Sequence, residues 1–116
     1  IAIGGGIILD MTSFVVSTYM RGIPLFMVPT TLIGQTDAST AGKTCFNSNH
    51  NKNLLGTFYY PLKVYNNINF IYTNTDRFQR QGFSESFKYG LLNSEKLIDK
   101  LNKYKISNDK GILKEY

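Results

Sequence analysis

The sequence predicts an α/β fold whose C-terminal side passes into helices. Three observations carry that expectation. Ile1-Ala2-Ile3 runs into Gly4-Gly5-Gly6 and then a helix-periodic segment, Leu25 to Val28 is a second short and wholly apolar run, and helical spacing returns from Arg77 onward. A chain of 116 residues holds one domain, burying about 60 to 70% of its unfolded surface if it folds alone.

Ile1 to Ile3 reads as the end of a buried strand. The glycines after it form a loop that either brings backbone close to a ligand or turns through positive φ. Ile8, Met11, Val15, Val16 and Tyr19 recur at helical spacing, so a helix runs from Ile8 to Met20. Arg21-Gly22-Ile23-Pro24 closes it with a basic residue, a glycine and a proline. Leu25 to Val28 has the continuous apolar character of a parallel strand. Pro29-Thr30-Thr31 then sets two hydroxyls at the carboxyl edge of the sheet, where open α/β folds collect ligands. A second helix is expected from about Thr31 to Ser39. Ala41 to Leu55 reads as a polar loop, with Gly42 and the cluster Asn47 to Asn53. A further strand is expected at Lys63 to Tyr65, reaching toward Asn67, and the Asn-rich connection to Asp76 marks a boundary. Phe83, Phe87 and Leu91, with Gly82 and Gly90, suit a helix from Arg77 to Leu92. Leu97, Ile98 and Leu101 continue in another amphipathic helix.

Composition excludes several functions. Hydrophobic residues at 42% and charged residues at 18% are ordinary for a globular protein, and no apolar run reaches the roughly 18 residues of a membrane span. The net charge of +5 admits nucleic acid, an anionic membrane surface or an anionic metabolite as partner. The lysines between Lys96 and Lys114 alternate with Glu95, Asp99, Asp109 and Glu115, which is the pattern of a solvated helix surface, and no aromatic-basic pattern marks a nucleic-acid face. Cys45 is the single cysteine, so no intrachain disulfide forms; the context points to a reducing cytoplasm and to Cys45 as a buried, inert thiol. The first residues lack an initiator Met and begin inside a strand, as expected of a segment cut from a longer chain.

The stretch from Asp37 to Gly56 concentrates polar and cationic groups in glycine-punctuated backbone, as a site for a phosphorylated small molecule would. It is not a Walker loop, because Asp37 stands where the first glycine belongs, and Gly4-Gly5-Gly6 followed by Ile7-Ile8-Leu9 is not G-x-G-x-x-G. Asp37, Lys43 and Lys52 either pair on the surface or face an anion. Glu85 and Lys88 share a helix face and either pair or face a ligand. His50 is the sole histidine and reads as an exposed loop residue rather than a ligand.

Order and spacing together resemble the sugar phosphate cyclases of the 3-dehydroquinate synthase family. The matching residues are Gly4-Gly5-Gly6 with Asp10 and Phe14, Tyr19-Met20-Arg21-Gly22, Val28-Pro29-Thr30-Thr31-Leu32, Gln35, Asp37-Ala38-Ser39, Gly42-Lys43-Thr44, Asn47, Lys52-Asn53-Leu54, Gly56, Pro61, Gly82, and Glu85 with Lys88 and Gly90. Ser13, Ala41 and Asn67 stand where the family has Gly, Gly and Asp, and Asn74 to Phe78 replace a usual Leu-Pro-x-Arg-Glu, keeping Arg77.

The resemblance implies the C-terminal part of an NAD-binding, Rossmann-like α/β domain at residues 1–76 and the start of a helical metal and substrate domain at 77–116. It implies a lyase of the shikimate route to aromatic amino acids, which cyclises a phosphorylated seven-carbon sugar acid with loss of phosphate. Sister cyclases of the valiolone type, acting on sedoheptulose 7-phosphate, and a non-catalytic cyclase-like fragment are the alternatives. NAD and zinc or cobalt are the implied cofactors, and a cytoplasmic homodimer the implied assembly. Residue by residue, Gly4, Gly5, Gly6, Asp10, Thr30, Thr31 and Lys52 match cofactor positions. Arg21, Asp37, Lys43, Asn53 and Lys88 match substrate positions, with Asp37, Lys43 and Lys88 nearest the chemistry, and Glu85 matches the metal-binding glutamate. The family's two metal-binding histidines fall beyond Lys88, where this sequence has none, so the chain is expected to hold one wall of the site and to be inactive alone.

Overall fold

The computed structural model describes residues 1–48 and 51–103, with Asn47, Ser48, Asn51 and Lys52 described by their backbone alone. His50 and the basic tail beyond Lys103 lie outside the described residues.

β1 (Ala2–Gly4) and β2 (Phe26–Pro29) pair in parallel, with Ala2 opposite Met27 and Gly4 opposite Pro29. β5 (Lys63–Val64) adds to the other side of β2, giving the order β1-β2-β5. The expected strand to Asn67 is shorter, although Tyr65 N–H still reaches the Met27 carbonyl at 2.8 Å. A parallel pair needs a crossover, and α1 (Gly6–Thr18) supplies it. The helix lays Leu9 and Ser13, four residues apart, against the sheet, where Ala2, Leu9, Leu25 and Met27 form the core. Ser13 is buried at no polar cost because its hydroxyl donates to the Leu9 carbonyl at 2.6 Å. Ile8, Met11, Val15 and Tyr19, which set the apolar period in the sequence, lie on the outer face and are exposed. The helix also stops earlier than Met20, because Met20 and Arg21 take φ of 47° and 67° in a short 3-10 turn (Tyr19–Arg21).

The polar loop expected from Ala41 to Leu55 is instead an antiparallel hairpin, β3 (Lys43–Ser48) and β4 (Asn51–Phe58). Its Thr-rich pairing outweighs the Asn and Gly content. Thr44 and Thr57 stand opposite each other with their hydroxyls 2.8 Å apart, and Thr57 Oγ1 donates to Ser17 Oγ of α1 at 2.7 Å. Phe46 stacks on Phe14 of α1, with ring centroids 6.3 Å apart. The hairpin is thus fastened along the crossover helix. The helix expected from Thr31 to Ser39 is wound as a wide π turn over Gly34–Ala38, consistent with its poor helix formers.

The Asn-rich connection carries a 3-10 helix (Ile68–Thr73), capped by Asn67, and then α2 (Asp76–Asn93) and α3 (Glu95–Lys103) follow. α2 approaches the π turn at Gly82. A Cβ there would lie 2.5 Å from Leu32 Cγ and 2.6 Å from the Ile33 backbone nitrogen. Among the described residues no helix is long and apolar enough to cross a membrane.

Gly82→Ala sets helix propensity, worth about 1 kcal/mol in favour of Ala, against overpacking of about 1 to 3 kcal/mol. The clash includes a backbone atom that cannot rotate away, so urea denaturation is expected to show a net loss. Gly90→Ala meets the flexible end of Ile98 and is expected to lose less; equal midpoints for both variants would contradict this packing.

Candidate functional site

The parallel register places the end of β1 beside the end of β2. Thr30 N–H donates to the Gly4 carbonyl at 2.9 Å, and a Cβ on Gly5 would lie 3.0 Å from Thr31 Cγ2. Gly4, Gly5, Gly6, Thr30 and Thr31 therefore share the carboxyl edge of the sheet. Gly5 is the N-cap of α1 and brings no side chain to it, and the first turn holds no acidic residue. Its first amides present a positive end, which suits a dinucleotide pyrophosphate. Thr31 Oγ1 accepts from Gly34 N–H at 3.1 Å, which fixes the hydroxyl and leaves its hydrogen to donate outward.

Asp10, one turn into α1, and Asp37, in the π turn, form the acidic part of the site. Gly6 faces Ala38, so the turn carrying Asp37 sits next to the glycine loop. Each carboxylate has a donor from another element: the Cys45 thiol reaches Asp10 Oδ2 at 3.2 Å, and the Tyr89 hydroxyl reaches Asp37 Oδ1 at 3.1 Å. Burial pushes the Asp10 carboxyl above its ordinary value, with the Asp37 charge adding to the rise and the Cys45 hydrogen bond opposing it. Cys45 is half-buried rather than fully buried, and burial together with Asp10 pushes its thiol up to about 11. It is a protonated donor at neutral pH, in keeping with an inert thiol. Burial and the bond to Asp37 likewise raise Tyr89 and keep its hydroxyl protonated.

Lys43 opens β3 and, by strand alternation, shares a face with Cys45. On α2, Lys88 donates to Glu85, and its ammonium lies 4.9 Å from the Tyr89 ring centroid. Asn53 takes φ of 56° within β4 and is exposed. Arg21 is not brought to this cluster: it follows the C-terminal end of α1, about 20 Å along the helix from the glycine loop. The side chain of Lys52 lies outside the description. Among the described residues no group of three His, Cys, Asp or Glu is placed to hold a metal, so Glu85 supplies at most one ligand of a set.

Besides the Cys45 contact with Asp10, two partners escaped the sequence reading. Tyr89 lies four residues after Glu85, a spacing that could have marked it as sharing that face. Asn74 is the other: its amide donates to the Thr30 carbonyl at 3.0 Å and accepts from Leu32 N–H at 3.2 Å, pinning the threonine turn. No local pattern marks a contact over more than forty residues.

Residues 1–81 match the family model described as 3-dehydroquinate synthase N-terminal. The 3-dehydroquinate synthase of Sulfurisphaera tokodaii is 45% identical over 99% of this chain and 34% of its own length; that of Dictyoglomus thermophilum is 46% identical over 88% and 29%. The chain thus spans about a third of the length of the curated relatives it matches. Among solved structures, 2-epi-5-epi-valiolone synthase from Streptomyces hygroscopicus, with NAD+ and Zn2+ bound, superimposes with a TM-score of 0.85 at 35% identity, covering 88% of this chain and 28% of that one. A 2-deoxy-scyllo-inosose synthase complexed with carbaglucose-6-phosphate, NAD+ and Co2+ gives a TM-score of 0.71 at 30% identity, covering 75% and 24%.

Because Cys45 is the single cysteine, its alkylation reports on the Asp10 contact. The rate of iodoacetamide labelling, followed by intact mass, is expected to climb through about pH 11 rather than near the ordinary thiol value of 9.0. Asp10→Asn removes the negative charge and is expected to bring the midpoint down; an unchanged midpoint would place the thiol elsewhere.

Proposed function

Because the chain belongs to the 3-dehydroquinate synthase family, we propose that it forms the cofactor wall and part of the substrate wall of an NAD-dependent cyclase acting on a phosphorylated seven-carbon sugar acid. The observation that carries this reading is the convergence of the glycine loop, Thr30, Thr31 and Asp37 at one sheet edge, with α2 tied to that edge through Tyr89. Residues 1–76 serve as the α/β part, and residues from 77 onward begin the helical part that carries Glu85 and Lys88.

NAD, when bound, supplies reversible oxidation of a substrate alcohol, which acidifies the neighbouring C–H so that phosphate can leave. The rest of the chemistry is positioning by this chain. Amides of Gly5 and Gly6 and the first turn of α1 hold the pyrophosphate, while Thr30 and Thr31 donate hydroxyls and Asp10 completes the cofactor side. Asp37 uses Oδ1 for Tyr89, so a substrate hydroxyl meets Oδ2. Lys43 and Lys88 offer ammonium groups to phosphate or carboxylate, with Asn53 and Lys52 as further contacts. Glu85 offers a carboxylate to zinc or cobalt, and the described residues do not complete such a site, so no step is drawn through the metal. A homodimer working in the cytoplasm, where Cys45 stays reduced, belongs to the same proposal.

The high identity to relatives named 3-dehydroquinate synthase favours the seven-carbon acid. The likeness to a valiolone synthase favours sedoheptulose 7-phosphate as the second reading. Phosphate release from each compound by the full-length protein that carries this chain separates them. Release from the acid is expected, and its absence would sink the first reading. Lys43→Ala is expected to lower kcat/KM by roughly 10- to 100-fold, the worth of one hydrogen bond to a charged group, while calorimetry shows NAD binding unchanged.

A further inference from the structure

We infer that Tyr89 is a positioning residue that sets both an anionic and a cationic substrate contact from one aromatic side chain. The inference rests on the functional reading of Asp37 and Lys88 above. Tyr89 lies one residue after Lys88 and one helical turn after Glu85, on the stretch of α2 that faces the π turn. Its hydroxyl donates to Asp37 Oδ1 at 3.1 Å, and its ring lies under the Lys88 ammonium at 4.9 Å. The ring itself is seated in the wall of a cleft of about 430 Å³ with Ile71, Phe83, Leu97 and Leu101. With its hydroxyl tied to Asp37, the side chain is fixed in direction before any ligand arrives.

Two consequences follow from that geometry. The phenol occupies one carboxylate oxygen of Asp37 and orients the other, a hydrogen bond to a charged acceptor that is stronger than a neutral one. The ring face gives Lys88 a second attraction besides Glu85, so the ammonium has a defined station between a carboxylate and an aromatic face. Asp37 belongs to the α/β part and Lys88 to the helical part. Tyr89 therefore fixes the spacing between substrate groups that different parts of the chain supply.

The hydroxyl and the ring can be removed separately. Tyr89→Phe keeps the ring under Lys88 and deletes the donor to Asp37, whereas Tyr89→Leu deletes both. With the full-length protein saturated with NAD, calorimetric affinity for the phosphorylated seven-carbon sugar acid is expected to fall roughly tenfold in Y89F and further in Y89L. NAD affinity, set by the glycine loop, should stay within about threefold of wild type. Parallel loss of both affinities, or loss of neither, would overturn the positioning role. The contact is tested without ligand by urea denaturation of Y89F, D37N and the double variant: non-additive midpoints are expected, and additive ones would overturn the Tyr89 tie alone. A wild-type protein that bound no sugar phosphate would instead overturn the functional reading, and this role with it.

Discussion

The in-register parallel pairing of Gly4 with Pro29 is the constraint on which the other features depend. Parallel neighbours force a crossover, and a crossover of one helix must start where β1 ends, so the N-terminus of α1 necessarily points at the edge where Thr30 and Thr31 emerge. The hairpin then lies along one flank of α1, which it reaches through Phe14, Ser17 and Asp10. The proposed cofactor edge and substrate flank thus follow from one backbone register. The amide side chain of Asn74 reinforces the same edge from outside the sheet, since it holds the backbone of Thr30 and Leu32 at once.

Electrostatically the site is a compromise between two acids. Burial disfavours ionisation of Asp10, and the nearby charge of Asp37 adds to the penalty. The chain relieves this with neutral donors rather than with buried cations. A thiol and a phenol stay protonated across the physiological range and each satisfies one carboxylate oxygen without introducing a positive charge. Fixed cations there would compete with ligand hydroxyls for the carboxylates. The lysines sit instead at exposed positions, where Lys43 and Lys88 retain the solvation that a phosphate can displace.

Much of the fold was legible because hydrophobic period and glycine placement are local signals. β1, α1, β2 and α2 follow directly from Ile1 to Ile3, the glycine loop, Leu25 to Val28 and the Phe83, Phe87, Leu91 series. The hairpin was hidden because its strands are stabilised by paired threonines and by packing on α1, whereas its composition is that of a loop. The outer stripe of α1 misled in the opposite sense: Ile8, Met11 and Val15 have the period of a core face and are exposed, while the buried face uses Leu9 and a self-satisfied Ser13. Of the candidate site, the fold brings the glycine loop, the threonines and the turn that carries Asp37 together. Their partners Cys45, Asn74 and Tyr89 did not show in the sequence, because each is defined by a contact across tens of residues.

The glycine at position 82 makes α2 a lever with a narrow pivot. Where the helix meets the Leu32 side chain and the Ile33 backbone nitrogen, Gly82 offers no side chain of its own to cushion it, and Tyr89 lies seven residues farther on, about 10 Å along the axis. A tilt of about 5° at that pivot would carry the phenol about 1 Å, which is the scale of misplacement that costs an enzyme about a hundredfold in rate. A residue without a side chain thereby sets the mechanical tolerance of the proposed substrate wall.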